Sequence, residues 1–172
     1  VADRNNNQGE SNDNNNTFAV PITLDAPDLV VTEVTAPTSA TLGESIEVSW
    51  TVTNQGTGTA NQDWYDYVYV STDQIYDSSD TYLTGEYISS QTPLAADGSY
   101  TITRNVTLPS TATGDRYLLF VADRNNNQGE SNDNNNTFAV PITLDVADLV
   151  VTDATAPTTA TLGESIEVSW TV

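Results

Sequence analysis

Oxygen-bearing side chains are concentrated in three short stretches of this chain. The longest, DRNNNQGESND, brings together Asp123, Asn125, Asn127, the Gly129 carbonyl, Glu130 and Asp133. Oxygens at alternate positions of a loop are the ligands a hard cation such as Ca2+ takes. The pattern departs from an EF-hand, because glycine stands at the seventh loop position rather than the sixth and no glutamate stands at the twelfth. The same residue types also build solvated loops, in which Asn and Asp bond their own backbone as Asx-turns. Both readings are open at this level. The second stretch, DQIYDSSD, carries Asp73, Asp77 and Asp80, which repel one another unless water or a cation lies between them. The third, LDAPDL, carries Asp25 and Asp28, with Asp145 and Asp148 at the equivalent places further on.

Composition narrows the chemistry. The chain has no Cys and no His, and its four basic residues are all Arg. Disulfides, thiol chemistry, Lys–Asn isopeptide bonds and the commonest general base are therefore excluded. A net charge of −20 argues against nucleic acid and against anionic membrane surfaces. No apolar run is long enough to insert in a membrane as a helix. Catalysis would fall to carboxylates or tyrosine, as in glycoside hydrolysis. The candidate carboxylates sit in loops copied along the chain, so the expectation is a protein that is not an enzyme.

That copying organises everything else. Residues 1–52 return at 121–172, differing only at Ala26/Val146, Pro27/Ala147, Glu33/Asp153, Val34/Ala154 and Ser39/Thr159. The period of 120 residues suits a whole domain with its own core. The chain reads as 1–25, the last strands of a preceding repeat; 26–145, one complete repeat; and 146–172, the first strands of the next. Within the repeat, alternation of apolar and polar residues dominates. It predicts strands near 28–34, 44–53, 64–72, 81–89, 99–108, 115–122 and 137–144, here lettered A, B, C, C′, E, F and G. Seven antiparallel strands of this spacing predict an all-β, immunoglobulin or fibronectin-III-like sandwich.

Three segments then carry a family resemblance. SWTVTNQGTGTA, VYVSTDQIYDSSDTYL and VADRNNNQGESNDNNNT resemble the strand-B, strand-C and F–G signatures of the cell-adhesion-related domain family, CARDB. The resemblance spans 26–145. It implies an Ig-like fold in large secreted or surface-bound bacterial proteins, with no fixed ligand.

In such a sandwich the F–G loop lies beside the incoming linker, and the turn after strand C lies at the far end. Each junction between repeats would gather acidic groups from both sides, and Ca2+ bridging them would stiffen a self-repelling array. Outward positions of C, F and G are expected at Tyr65, Tyr67, Tyr69, Leu118, Phe120, Ala139 and Pro141, with Tyr117, Leu119 and Val121 inward. An exposed aromatic patch of this kind marks an interaction face. Two functions follow: a structural repeat of an extracellular filament or stalk, packed against adjacent repeats and neighbouring chains, or an adhesin module whose tyrosines hold carbohydrate or a partner surface. Asn105 and Asn135 open glycosylation sequons.

Overall fold

The computed structural model describes residues 1–111 and 113–172. Each of the seven expected strands forms, with ends displaced by no more than a residue. They are β1 (Leu29–Thr35), β3 (Ser45–Asn54), β4 (Trp64–Ser71), β5 (Thr81–Ile88), β6 (Ser99–Thr107), β7 (Gly114–Val121) and β8 (Thr137–Asp145). An eighth, β2 (Ser39–Thr41), is added, and two short strands, β9 (Asp153–Thr155) and β10 (Ser169–Thr171), lie in the C-terminal flank.

Two sheets face each other. One has the order β1-β3-β6, the other β2-β8-β7-β4-β5. The second is mixed, because β2 runs parallel to β8, which corrects the purely antiparallel expectation. Pro37 has no N–H to continue the β1 ladder, so the chain leaves the first sheet there. It rejoins on the opposite sheet, with Thr143 N–H donating to Thr38 O at 2.9 Å and Leu42 N–H to Asp145 O at 3.0 Å. Three residues are too few for an alternation signal, so sequence alone did not reveal β2.

The core lies between the sheets. Val48, Trp50 and Val52 of β3 meet Trp64 and Val68 of β4 and Leu118 and Phe120 of β7. Trp50 and Phe120 approach to 5.8 Å between ring centroids. Here the expected phase of β7 is overturned. Leu118 and Phe120 are completely buried in this core, and Leu119 and Val121 lie instead under Tyr69 on the outer face. YLLFVA is apolar on both sides, so its alternation has no phase to read. Cross-strand pairing sets it, because directly opposed residues share a face. Phe120 and Leu118 oppose inward Val68 and Val70, whereas Leu119 opposes outward Tyr69.

The flanks repeat local structure without the core. Residues 17–25 have the sequence of β8 but form no strand, and Phe18, Val20, Ile22 and Leu24 are exposed. β9 and β10 pair in the register of β1 and β3, with Trp170↔Ala154 matching Trp50↔Val34. Trp170 nevertheless stays 65% exposed where Trp50 is 1% exposed. Part of the β1–β3 pairing thus forms from local sequence, whereas the β8 pairing and burial of the core need the opposing strands.

Candidate functional site

The most heavily bonded place in the molecule is the linker that leads into β1. Asn54, the last residue of β3, is fully buried. Its Oδ1 accepts from Asp28 N–H at 3.0 Å and Gly56 N–H at 3.1 Å, and its Nδ2 donates to Gly58 O at 2.8 Å and Leu94 O at 3.1 Å. Both donors and both acceptor positions of the amide are used. Backbone bonds reinforce it: Gln55 N–H to Asp28 O at 2.7 Å and Gly58 N–H to Ala26 O at 2.9 Å. Gly56 and Gly58 must be glycine for this approach, since a Cβ on either would overlap the Ala26–Pro27 backbone.

The F–G loop grips the other side. Ser131 N–H donates to Pro27 O at 2.9 Å. Glu130 Oε2 accepts from Leu29 N–H, and Asn135 Nδ2 donates to Asp28 Oδ1 at 3.0 Å. Thr57 Oγ1 donates to Asp25 Oδ1 at 2.9 Å. Residues 25–29 thus lie between two loops that hold them through both backbone and side chains.

The shape of the F–G loop is written locally. The Asp123 carboxylate accepts from Asn127 N–H at 2.8 Å and Gln128 N–H at 2.7 Å. Asp123 and Asn126 take φ of +40° and +52°, a region Asp and Asn tolerate best among non-glycine residues. In the first copy, Asp3 accepts from Asn7 and Gln8 N–H with φ of +36° and +51° at Asp3 and Asn6, although those residues are exposed or partly so. Only in the complete repeat does this pre-shaped loop meet a linker.

Of the candidate ligands, Asp123, Glu130 and Asp133 lie close enough that, after burial, the charge of Asp133 helps raise the pKa of the other two. Among the described residues no three acidic side chains are placed to hold a metal ion. Asp123 and Glu130 are bonded to N–H groups as above. Asp73 Oδ1 caps Ile75 N–H, Asp77 Oδ1 caps Ser79 N–H, and Asp80 Oδ2 caps Asp77 N–H, all at 2.7–2.8 Å. The Asx-turn reading describes these loops within one repeat. Two buried amide oxygens, Asn135 Oδ1 and Asn136 Oδ1, have no donor.

A buried carboxylate was missed. Asp66 of β4 is 1% exposed. It accepts from Trp50 Nε1 at 3.0 Å, Trp64 Nε1 at 3.1 Å and Tyr100 Oη at 2.6 Å, with Asp123 N–H at a long 3.4 Å. No cation faces it. Burial pushes its pKa up to about 6, against the pull of these donors. Burial likewise raises Glu130 to about 7 and lifts Asp123 and Tyr100 above their ordinary ranges. The signal was present: in WYDYVYV, Asp66 shares parity with Trp64 and Val68, and so had to point inward.

The outer face of β4 and β5 carries the tyrosines. Tyr65, Tyr67 and Tyr69 point outward as expected, joined by Tyr82, Tyr87 and Tyr76. Ring centroids lie 4.8 Å apart for Tyr65–Tyr87 and Tyr69–Tyr76, and 5.5 to 6.1 Å for Tyr67 with Tyr82, Tyr65 and Tyr69. Gly85, paired with Tyr67, leaves room for the ring, since a Cβ there would overlap it. The Arg124 guanidinium covers Tyr76 at 4.6 Å. Ala139 packs against this cluster, and Pro141, opposite Tyr117, is exposed beyond it. Leu118 and Phe120 take no part in it.

Two facing sheets with the segment leading into β1 locked at one end define an Ig-like β-sandwich domain. The family profile of CARDB matches residues 26–140, and the chain belongs to that family. Among solved structures it resembles the CARDB domain of a Pyrococcus furiosus protein, crystallised in complex with di-metal ions (TM-score 0.55, 22% identity, 74% of this chain and 100% of that one). A solution structure of that domain agrees (TM-score 0.53, 21% identity, 70% and 97%). So does a domain of a Methanosarcina acetivorans protein named provisionally as a cell-surface protein (TM-score 0.52, 21% identity, 69% and 92%). At these identities the likeness speaks for the fold. No curated protein matches the chain in sequence.

Proposed function

We propose that this chain is a structural segment of a long extracellular or cell-surface protein, in which successive 120-residue Ig-like repeats form a stalk or filament. The observation that carries the reading is the grip on residues 25–29. A linker bonded to two loops fixes the direction in which one repeat meets the next, where a free linker would leave them swinging. The near-verbatim copy at 121–172 supports it, since identical joints build a uniform thread. The cell-surface name of the M. acetivorans relative points to the same location. Partners in this reading are the adjacent repeats and neighbouring chains.

Ca2+ has a role in this reading only between repeats. Acids of the turn after β4 of one repeat, of the linker and of the next repeat's F–G loop would share an ion, and the di-metal complex of the P. furiosus domain supports metal binding in such a fold. X-ray scattering and thermal melts of a chain with two complete repeats, in EDTA and in millimolar Ca2+, test both parts. The extended shape should be present in EDTA, and Ca2+ should shift the melt by only a few degrees. A compact or flexible particle in EDTA would remove the self-sufficient joint, and extension only in Ca2+ would assign the joint to the metal.

An adhesin module is the second reading. Exposure of Tyr82 (56%) and Tyr87 (50%) favours it. Ring planes inclined by 37° to 81° offer a sugar no flat platform, which favours the structural reading instead.

A further inference from the structure

Covalent staples in β-sandwiches come from few residue types, and this chain has discarded most of them. It has no Cys for a disulfide and no Lys for an isopeptide bond, and no Met or His to absorb an oxidant. Its redox-active side chains are eight tyrosines and three tryptophans. Of the tryptophans, Trp50 and Trp64 are sealed in the core. Six tyrosines form one continuous series of ring contacts on the outer sheet face, with Tyr69 buried among its neighbours, so a radical formed on one has a neighbour within about a ring's width.

We propose that this face is an oxidative cross-linking site, at which Tyr65 and Tyr87 are coupled into a dityrosine that staples β4 to β5. The two are register partners on adjacent strands, with ring centroids 4.8 Å apart and planes inclined by 37°. Both are reachable, at 37% and 50% exposure. Tyr87 Oη donates to Asp63 Oδ2 at 2.9 Å, which gives its phenolic proton an acceptor as the electron leaves. Asp63 is held for this by Thr92 Oγ1 at 2.6 Å. β5 is an edge of its sheet, paired with β4 alone, so the new bond would secure a strand held on one side only.

The step balances with a peroxide oxidant. Each tyrosine gives up one electron and its phenolic proton, that of Tyr87 to Asp63 and that of Tyr65 to water. The two phenoxyl radicals pair through ring carbons ortho to oxygen, forming one C–C bond. The hydrogens on those carbons leave as protons while the two oxygens are reprotonated, which restores both phenols. The net loss is two electrons and two protons, taken by hydrogen peroxide at a haem peroxidase to give two waters.

The test treats the purified chain with hydrogen peroxide and a haem peroxidase, then reads dityrosine fluorescence and maps cross-linked peptides by mass. A monomer lighter by two hydrogens, with the bond mapped to Tyr65 and Tyr87, is expected. Tyr87→Phe should abolish that peptide, Tyr117→Phe should leave it unchanged, and unfolding in urea before treatment should suppress it. A bond mapped to other tyrosines, coupling only between chains, or consumption of tyrosine with no dityrosine would each overturn the proposal.

Discussion

Replacing Asn54 with Ala is expected to destabilise the complete repeat by on the order of 4 kcal/mol, lowering its melting temperature by roughly 15 °C. The magnitude follows from what is left behind. Asp28 N–H and Gly56 N–H lose the Asn54 Oδ1 acceptor and Gly58 O loses the Nδ2 donor, all part-buried, whereas Leu94 O keeps its bond from Ala60 N–H. Each orphaned buried group costs about 1–3 kcal/mol, and the small cavity adds to that. Asn61, exposed in the same loop, donates only to Thr59 O, so Asn61→Ala should stay within about 0.5 kcal/mol of the parent. Melts of the three proteins, read by tryptophan fluorescence, make the comparison. Similar losses at both positions would mean that the linker grip contributes little.

Asp66 should give an effect as large, with a pH signature. Asp66→Ala strands three donors in the core, from Trp50, Trp64 and Tyr100, and is expected to cost on the order of 5 kcal/mol. The pH dependence has a definite sign. Asp66 and Glu130 bind protons more tightly in the folded chain than in the unfolded one, with folded pKa values of about 6 and about 7. Stability therefore rises as pH falls from 7 toward 4, by on the order of 2–3 kcal/mol from Asp66, and is flat above the folded values. The exposed acids whose pKa is lowered, Asp3, Asp63 and Asp77, act in the opposite sense, but only as pH drops through and below their ordinary range. Chemical denaturation at pH 7.5, 6 and 5 should show the rise, and Asp66→Asn should reduce it to the share that Glu130 and Asp123 contribute. Stability falling between pH 7 and 5 would show that the three donors outweigh desolvation and hold Asp66 ionised.

Much of this fold was legible because its strands are half-buried and so alternate cleanly. ESIEVSWTV and TFAVPITL announced both their existence and their faces. β7 did not, because a strand that is apolar on both sides has no phase until a partner supplies one. β2 did not, because three residues carry no period. The acidic loops were legible as composition but not as chemistry: the same Asp and Asn oxygens satisfy a cation or a peptide N–H, and only coordinates show which. Asn54 was quoted in a family motif without a mechanism. Its role became visible once Asp28, 26 residues earlier, was seen to close on it. Asp66 was readable by parity and was overlooked because a carboxylate is not expected between two tryptophans.

A rigid joint between repeats is the central expectation, and one distance measurement addresses it. A chain of two complete repeats, free of native cysteine, can carry a spin label at Thr103→Cys in each repeat, on the exposed side of β6. Pulsed electron-spin measurements in EDTA should give one narrow distance distribution, and Asn54→Ala in the second repeat should broaden it. A broad distribution in the parent chain, of the width expected for beads on a free tether, would contradict the account.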